Sequence, residues 1–218
     1  MAVARWLGEV CAGSEARVGV DVCVESVGGV DAVRRVAAGE AFDFVVLAQG
    51  AIDTLARDGH VDPASRVTLA HASMAMAVAE HVDVPAMDTP DAVREAVLGA
   101  PRIAYSTGPS GHHLLELLAR WGIAERVATR LVQAPPGVSV ASVIARGDAA
   151  IGFQQASELV GVAGIRVAGV LPAAIAATTA FSGAVCRASR QPSRARAVLA
   201  YFVSDELAAA RPRYGLDA

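Results

Sequence analysis

The stretch Arg102–Gly122, RIAYSTGPSGHHLLELLARWG, holds the change of pattern that decides the fold. The short run Arg102–Ser106 predicts a strand, and the apolar residues that recur at helical spacing from Leu114 to Trp121 predict a helix. Glycines and hydroxyl residues separate the two patterns. Because a strand that runs into a helix through a short loop is the unit of α/β folds, this stretch predicts that class of fold.

The same alternation runs through most of the chain, which favours an α/β fold with mainly parallel sheets. Further strands are predicted at residues 18–24, 42–48, 150–154, 165–172 and 177–187. Further helices are predicted at residues 2–16, 30–40, 49–61, 137–149 and 192–210. Another helix is expected to start at Pro90, with Thr89 as its N-cap.

Composition and charge exclude several classes of protein. The 218 residues are 54% hydrophobic and 19% charged, which indicates a globular chain of one large domain or two small ones. A net charge of −3 gives no reason to expect a nucleic-acid partner. The uncharged run Val167–Cys186 is interrupted by glycines and Pro172, so it is interpreted as two strands and not as a membrane span. The three cysteines have no paired spacing, and neither a metal site nor a cofactor is predicted.

Three strand-to-helix loops have the chemistry of an anion site. They are Glu25–Gly29, Ala48–Gly50 and Ser106–Gly111. Small residues let backbone N–H groups approach a ligand, and the start of a helix favours negative charge. The third loop therefore predicts a cradle for an oxyanion or carboxylate, although a capped helix start with a tight turn is an alternative. It is not a phosphate-binding P-loop, because no lysine follows its glycines.

Several segments resemble the type II periplasmic-binding-protein fold, in the branch of the molybdate-binding proteins of ABC transporters. They are RRVAAGEAFDFVVLAQGAIDTLARDGHV, PRIAYSTGPSGHHLLELLARWGI, VIARGDAAIGFQQASEL, GVLP and AVLAYFVSDELAAA. The resemblance implies two α/β lobes with a ligand cleft between them. Lobe one would be residues 1–78 plus 180–218, and lobe two residues 79–179. HASMAMAVAE and ATTAFSGAVC would be the strands that cross from one lobe to the other.

The resemblance also implies a set of ligand-binding residues. These are Ser26, Gly28, Gly29, Ala48, Gln49, Ser106, Thr107, Ser110, Gly111, Gln154, Gln155 and Ser157. Molybdate binders carry a tyrosine after the strand at residues 150–153, where this chain has Gln154 and Gln155. An amide both donates and accepts hydrogen bonds, so this difference argues against molybdate and suits a carboxylate or a hydroxy acid.

Two functions follow from the resemblance, and a domain without any ligand is a third alternative. The first is an ABC-type solute-binding protein for a small anion, and its expected protein partner is an ABC permease. The second is a cofactor-independent isomerase of a small polycarboxylate, similar to aconitate isomerase. That chemistry needs a base, and the candidates are His112, His113 and Glu158. The ordinary interpretation of these three side chains is a solvated pair of histidines and a helix cap.

The start of the chain gives two further expectations. Arg5 and Glu9 lie where a leader would be apolar, so the protein is expected in the cytoplasm, or in the periplasm or extracellular space if a leader was removed. The related fold normally opens with a strand, whereas this chain opens with a helical pattern at Ala2. Either upstream residues or a partner chain, including a second copy of this one, would then complete the first sheet.

Overall fold

The computed structural model describes residues 3–12 and 14–217. The chain forms two compact units, one of residues 1–71 with 180–218 and the other of residues 72–179. Helices and strands alternate in both units, as the sequence predicts for the α/β class.

The helices and strands occur in the following order along the chain. The α-helices are α1 (Ala4–Ala12), α2 (Ser14–Val18), α3 (Gly29–Ala37), α4 (Gln49–Arg57), α5 (Pro90–Gly99), α6 (Pro109–Arg120), α7 (Ala124–Val127), α8 (Val140–Ala145), α9 (Ala156–Leu159), α10 (Pro192–Phe202) and α11 (Asp205–Ala208). The strands are β1 (Phe44–Ala48), β2 (Val67–Ala79), β3 (Ile103–Tyr105), β4 (Leu131–Gln133), β5 (Ile151–Gln155), β6 (Ile165–Val170) and β7 (Thr178–Val185). Short 3₁₀ helices lie at Pro63–Ser65, Ala128–Arg130, Ala173–Ile175 and Arg211–Tyr214.

The sheet of the second unit has the strand order β6-β2-β5-β3-β4. β3 is parallel to β4 and to β5, while β2 is antiparallel to β5 and to β6. Four strands therefore point the same way, and β2 runs against them. Tyr105, the last residue of β3, pairs with Phe153 near the end of β5. The loops that follow these two strands consequently leave the same edge of the sheet side by side.

The two faces of this sheet carry different cores. On one face Met74, Met76 and Val78 of β2 pack with leucines of α6, and on the other face Ala75 and Ala77 pack with residues of α8. Successive side chains of a strand point to opposite faces. The large residues of β2 therefore face α6, and its alanines leave room for α8 to lie close to the sheet.

The first unit is built around an antiparallel pair. β1 pairs with β7 from Phe44 opposite Val185 to Ala48 opposite Phe181. The core of this pair is formed by apolar side chains of β1, β7, α3 and α4, including Val45, Leu47, Val36, Ile52 and Leu55.

The predicted strand at residues 18–24 is wrong. Helix α2 extends to Val18, and residues 20–28 form neither helix nor strand. Burial does alternate there, with Val20, Val22 and Val24 half-buried and the residues between them exposed. An alternating pattern thus reports burial on one side of an extended segment and does not by itself make that segment a strand.

The run Val167–Cys186 holds the second part of β6 and all of β7 with Pro172 between them, which confirms the interpretation as strands. Among the described residues, no helix is both long and apolar enough to cross a membrane. Thr89 accepts a hydrogen bond from the N–H of Ala92 at 3.1 Å, which confirms the predicted cap of α5.

Candidate functional site

Gly111 is required because the first turn of α6 lies directly against the end of β3. A Cβ atom at Gly111 would lie 1.8 Å from the carbonyl oxygen of Ser106 and 2.8 Å from its carbon. Gly108 is different, since a Cβ atom there would be 3.7 Å from the Ser106 hydroxyl, an ordinary contact. Of the two glycines in the loop, only Gly111 is needed for the close approach of α6 to the end of β3.

The hydroxyl groups of the loop form a short chain of hydrogen bonds. The N–H of Gly108 donates to Ser106 Oγ at 3.2 Å, and Ser106 Oγ lies 3.0 Å from Ser110 Oγ. If Ser106 donates its own hydrogen to Ser110, the hydroxyl hydrogen of Ser110 remains for a ligand. An anion accepts hydrogen bonds and therefore favours this arrangement. Ser110 is buried and Ser106 half-buried, whereas Thr107 is exposed.

The helix start adds a backbone donor to this loop. Pro109 is the first residue of α6 and has no N–H, so the first donor of the helix is the N–H of Ser110. Ser110 therefore brings a side-chain hydroxyl and a backbone N–H to the same place.

Gln154 and Gln155, which the sequence predicts as one pair of ligand-binding residues, have different partners at the end of β5. Gln154 Oε1 accepts from the N–H of Val140 at 2.9 Å, and its Nε2 donates to Glu158. Gln155 Nε2 donates to the hydroxyl of Thr179 at 3.2 Å. Because neighbouring residues of a strand face opposite ways, Gln154 lies on the α8 side of the sheet and Gln155 on the α6 side.

A cavity of about 350 Å³ in the second unit brings four predicted residues together. They are Ser110, His112, His113 and Gln155. Six further residues complete the lining: Met74, Pro109, Glu116, Ala177, Thr178 and Thr179. This volume lies at the lower end of the range of roughly 300–1,000 Å³ that small-molecule sites occupy.

The structure distinguishes the two histidines. His113 Nε2 lies 2.9 Å from the carbonyl oxygen of Ile175. A carbonyl only accepts, so Nε2 carries the hydrogen and Nδ1 is the nitrogen left to accept or donate at the cavity. His113 is half-buried and held in place by this bond, whereas His112 is exposed.

Glu158 lies with Gln154 and is not part of the cavity lining. Its side chain is half-buried, and burial raises the pKa of its carboxyl above the ordinary value. Ser157 beside it is 5% exposed, and its hydroxyl has no hydrogen-bond partner within the described part of the chain. A buried hydroxyl without a partner is costly, so Ser157 is available to a polar group that enters this region.

Glu158→Gln is expected to change how stability depends on pH. An acid whose pKa is raised in the folded state stabilises the fold most when it is protonated, and that contribution is lost as pH rises through the folded-state pKa. The amide stays neutral, so the variant should match the wild type at about pH 4 and be more stable at about pH 8.

Urea unfolding at both pH values measures this difference. The exposed Glu125→Gln serves as the control and should follow the wild type at both. A Glu158→Gln protein that loses stability with pH as the wild type does would contradict the assignment.

The remaining predicted residues lie in the first unit. Gly28 precedes α3 as its N-cap, and Ala48 precedes α4, which begins at Gln49. A Cβ atom at Gly29 would be 3.9 Å from Leu47, so the start of α3 lies next to the end of β1. The structure thus brings the loops of Ser26, Gly28 and Gly29 and of Ala48 and Gln49 to the same end of this unit.

Sequence reasoning missed Glu116, Thr178 and Thr179. Glu116 follows His112 by four residues, so helical spacing places both on one side of α6 and could have identified it. The threonines come from a strand that returns to the cavity from a distant part of the sequence, and no local pattern marks that. Among the described residues, no three His, Cys, Asp or Glu side chains are grouped so that they could hold a metal ion.

Solved structures with a similar fold include periplasmic binding proteins. The chain therefore has the periplasmic-binding-protein fold. The periplasmic molybdate-binding protein of Azotobacter vinelandii aligns with a TM-score of 0.82 and 17% identity, over 100% of this chain and 96% of that one. A sulfate-binding protein of Mycobacterium tuberculosis aligns with a TM-score of 0.77 and 17% identity, over 99% and 83% of the two chains.

Sequence comparison gives the family. Residues 1–217 match the family described as bacterial extracellular solute-binding protein. An aconitate isomerase from a Pseudomonas species is 35% identical over 182 residues, which are 84% of this chain and 70% of that protein. The chain belongs to the bacterial extracellular solute-binding protein family, and the resemblance found in the sequence is confirmed.

Proposed function

We propose that this protein binds a small anion, through a carboxylate or oxyanion, as the solute-binding component of an ABC-type transporter. The observation that carries the proposal is the buried hydroxyl of Ser110, which lies 3.0 Å from the hydroxyl of Ser106 and lines the cavity. Neutral donors fixed in a protein before the ligand arrives bind an anion without a compensating cation in the site.

Each unit has candidate ligand-binding residues of its own. In the second unit it comprises Ser106, Thr107, Ser110, Gly111, Gln154, Gln155 and Ser157. In the first unit it comprises Ser26, Gly28, Gly29, Ala48 and Gln49. Family membership supports an ABC permease as the partner and a place of action outside the cytoplasmic membrane.

Isothermal titration calorimetry with a panel of anions tests the proposal. Sulfate, molybdate, cis-aconitate and trans-aconitate are titrated into the protein. Saturable binding of at least one of these anions is expected. The order of their affinities distinguishes recognition of an oxyanion from recognition of a carboxylate. If no member of the panel binds, the proposal of an anion site is wrong.

The identity with an aconitate isomerase favours a second candidate function, the isomerisation of a small polycarboxylate. A base removes a proton from a carbon next to a carboxylate, the double bond moves, and a proton returns at the far end of the allylic system. No proton is gained or lost overall. His113 has the geometry of such a base, since its Nε2 is occupied by Ile175 and its Nδ1 remains.

Proton NMR in deuterated water separates the receptor from the enzyme. Interconversion of cis- and trans-aconitate with deuterium entering the ligand indicates the isomerase. Saturable binding without any exchange indicates the receptor. His113→Asn should abolish exchange, and loss of exchange in the exposed His112→Asn alone would place the base elsewhere than proposed.

A further inference from the structure

The Glu25–Gly29 loop of the first unit has few backbone constraints, although the proposed function counts three of its residues as ligands. Residues 20–28 form neither helix nor strand. In the part of the chain that the structure describes, residues 21–27 make no backbone hydrogen bond. Gly28, the N-cap of α3, has no side chain that could cap the helix. The position of this loop therefore depends on its packing and on side-chain contacts.

The side chain of Arg35 connects the start of this loop to α3. Arg35 Nη1 donates to Glu25 Oε1 at 2.6 Å, and Arg35 Nη2 donates to Glu25 Oε2 at 3.1 Å. Two parallel bonds of this kind fix the direction of a contact as well as its distance. They also lower the pKa of the Glu25 carboxyl from its ordinary value, so the carboxylate stays charged at neutral pH.

The guanidinium of Arg35 is itself held by two further contacts. Arg35 Nε donates to Glu40 Oε2 at 2.8 Å, just beyond the end of α3. Arg35 Cζ lies 4.8 Å from the centre of the Phe42 ring, within the range of a cation–π contact. The side chain of Arg35 is 19% exposed and that of Glu25 is 55% exposed. The arginine is thus the fixed member of the pair, and the loop carboxylate is held by it.

We infer that Arg35 is a positioning residue of the anion site, which holds Glu25 so that the Glu25–Gly29 loop keeps its shape before a ligand arrives. The inference rests on the proposed function and deepens it, because it names a residue that prepares the site without touching the ligand. Donors that are already ordered lose less freedom on binding. A loosened loop should consequently bind the same anion more weakly.

Glu25→Gln tests this inference by calorimetry, because it turns one accepting oxygen into an NH₂ group that cannot accept from Arg35. The probe is the member of the panel of sulfate, molybdate, cis-aconitate and trans-aconitate that the wild type binds most tightly. Its affinity should fall by about threefold to fivefold, as expected for an ion pair of this exposure.

Glu40→Gln is the matched control. It makes the same chemical change at the other carboxylate of Arg35, which lies outside the loop. Its affinity for the same anion should stay within about twofold of the wild type. Urea unfolding should show similar small losses of stability in the two variants, so stability does not explain a difference in affinity.

Hydrogen exchange in the ligand-free protein gives a readout of the loop itself. The amides of residues 21–29 should exchange faster in Glu25→Gln than in the wild type and Glu40→Gln. Arg35→Lys keeps the charge and loses the fork of two donors, so it should resemble Glu25→Gln in affinity and exchange. Arg34→Lys changes the neighbouring arginine, which pairs with Asp31, and should resemble the wild type.

The possible outcomes separate this inference from the proposed function. Unchanged affinity in Glu25→Gln and Arg35→Lys, with a wild type that binds an anion, would overturn the inference and leave the proposed function in place. An equal fall in Glu25→Gln and Glu40→Gln would overturn it as well, because the effect would then not belong to the loop. Failure of every anion to bind the wild type would overturn the proposed function, and the inference with it.

Discussion

Gly111→Ala is expected to destabilise the protein by about 3 kcal/mol, the upper end of the cost of overpacking. The added Cβ would lie 1.8 Å from the carbonyl oxygen of Ser106, and backbone atoms cannot turn aside as a flexible side chain can. To make room, α6 has to move away from the end of β3. The hydroxyls of Ser106 and Ser110 are then pulled apart, so anion affinity should fall together with stability.

Gly108→Ala is the matched control, because it adds the same methyl group to the same loop. Its Cβ would meet only the Ser106 hydroxyl at 3.7 Å, and its backbone is extended. Urea unfolding should give it a loss of at most about 1 kcal/mol, because alanine is a poorer N-cap residue than glycine. Equal losses in the two variants would show that the close approach of α6 to β3 does not exist in solution.

The fold could be predicted where the spacing of apolar residues along the sequence matches the packing of the element in the structure. The segment Arg102–Gly122 forms β3 and α6 as expected. The apolar residues of the buried strand and the leucines on the buried face of the helix are both marked by their spacing in the sequence. The segment at residues 18–24 failed because an alternating pattern reports burial and not hydrogen bonding. The short β4 carried too few residues to be recognised.

The candidate site was predictable in part for the same reason. The composition of the loop that holds Ser106, Ser110 and Gly111 predicts a tight strand-to-helix turn. The structure shows the hydrogen bond between the two serine hydroxyls and the close approach at Gly111. The separation of Gln154 from Gln155 depends on which face of the sheet each residue meets. The sequence alone does not predict which face each glutamine lies on, because both residues are predicted at the end of the same strand.

The lining of the cavity by β7 depends on long-range topology. Thr179 reaches Gln155 across 24 residues of sequence, and Ile175 reaches His113 across 62. Nothing in the stretch around Thr178 and Thr179 differs from an ordinary edge of a strand. Residues contributed by a returning strand are therefore found only when the sheet is assembled.

Ser106→Ala combined with Ser110→Ala is expected to weaken anion binding by several tens-fold while the protein stays folded. Each lost neutral hydrogen bond is worth about 0.5–1.5 kcal/mol, and two such losses multiply in the dissociation constant. Thr89→Ala is the control: it removes the cap of α5 at a cost of about 1 kcal/mol in stability but lies outside the cavity lining. Calorimetry should show the wild-type affinity for Thr89→Ala and a weakened one for the double variant. An unchanged affinity in a folded double variant would remove the Ser106–Gly111 loop from the site, and with it the observation on which the proposed function depends.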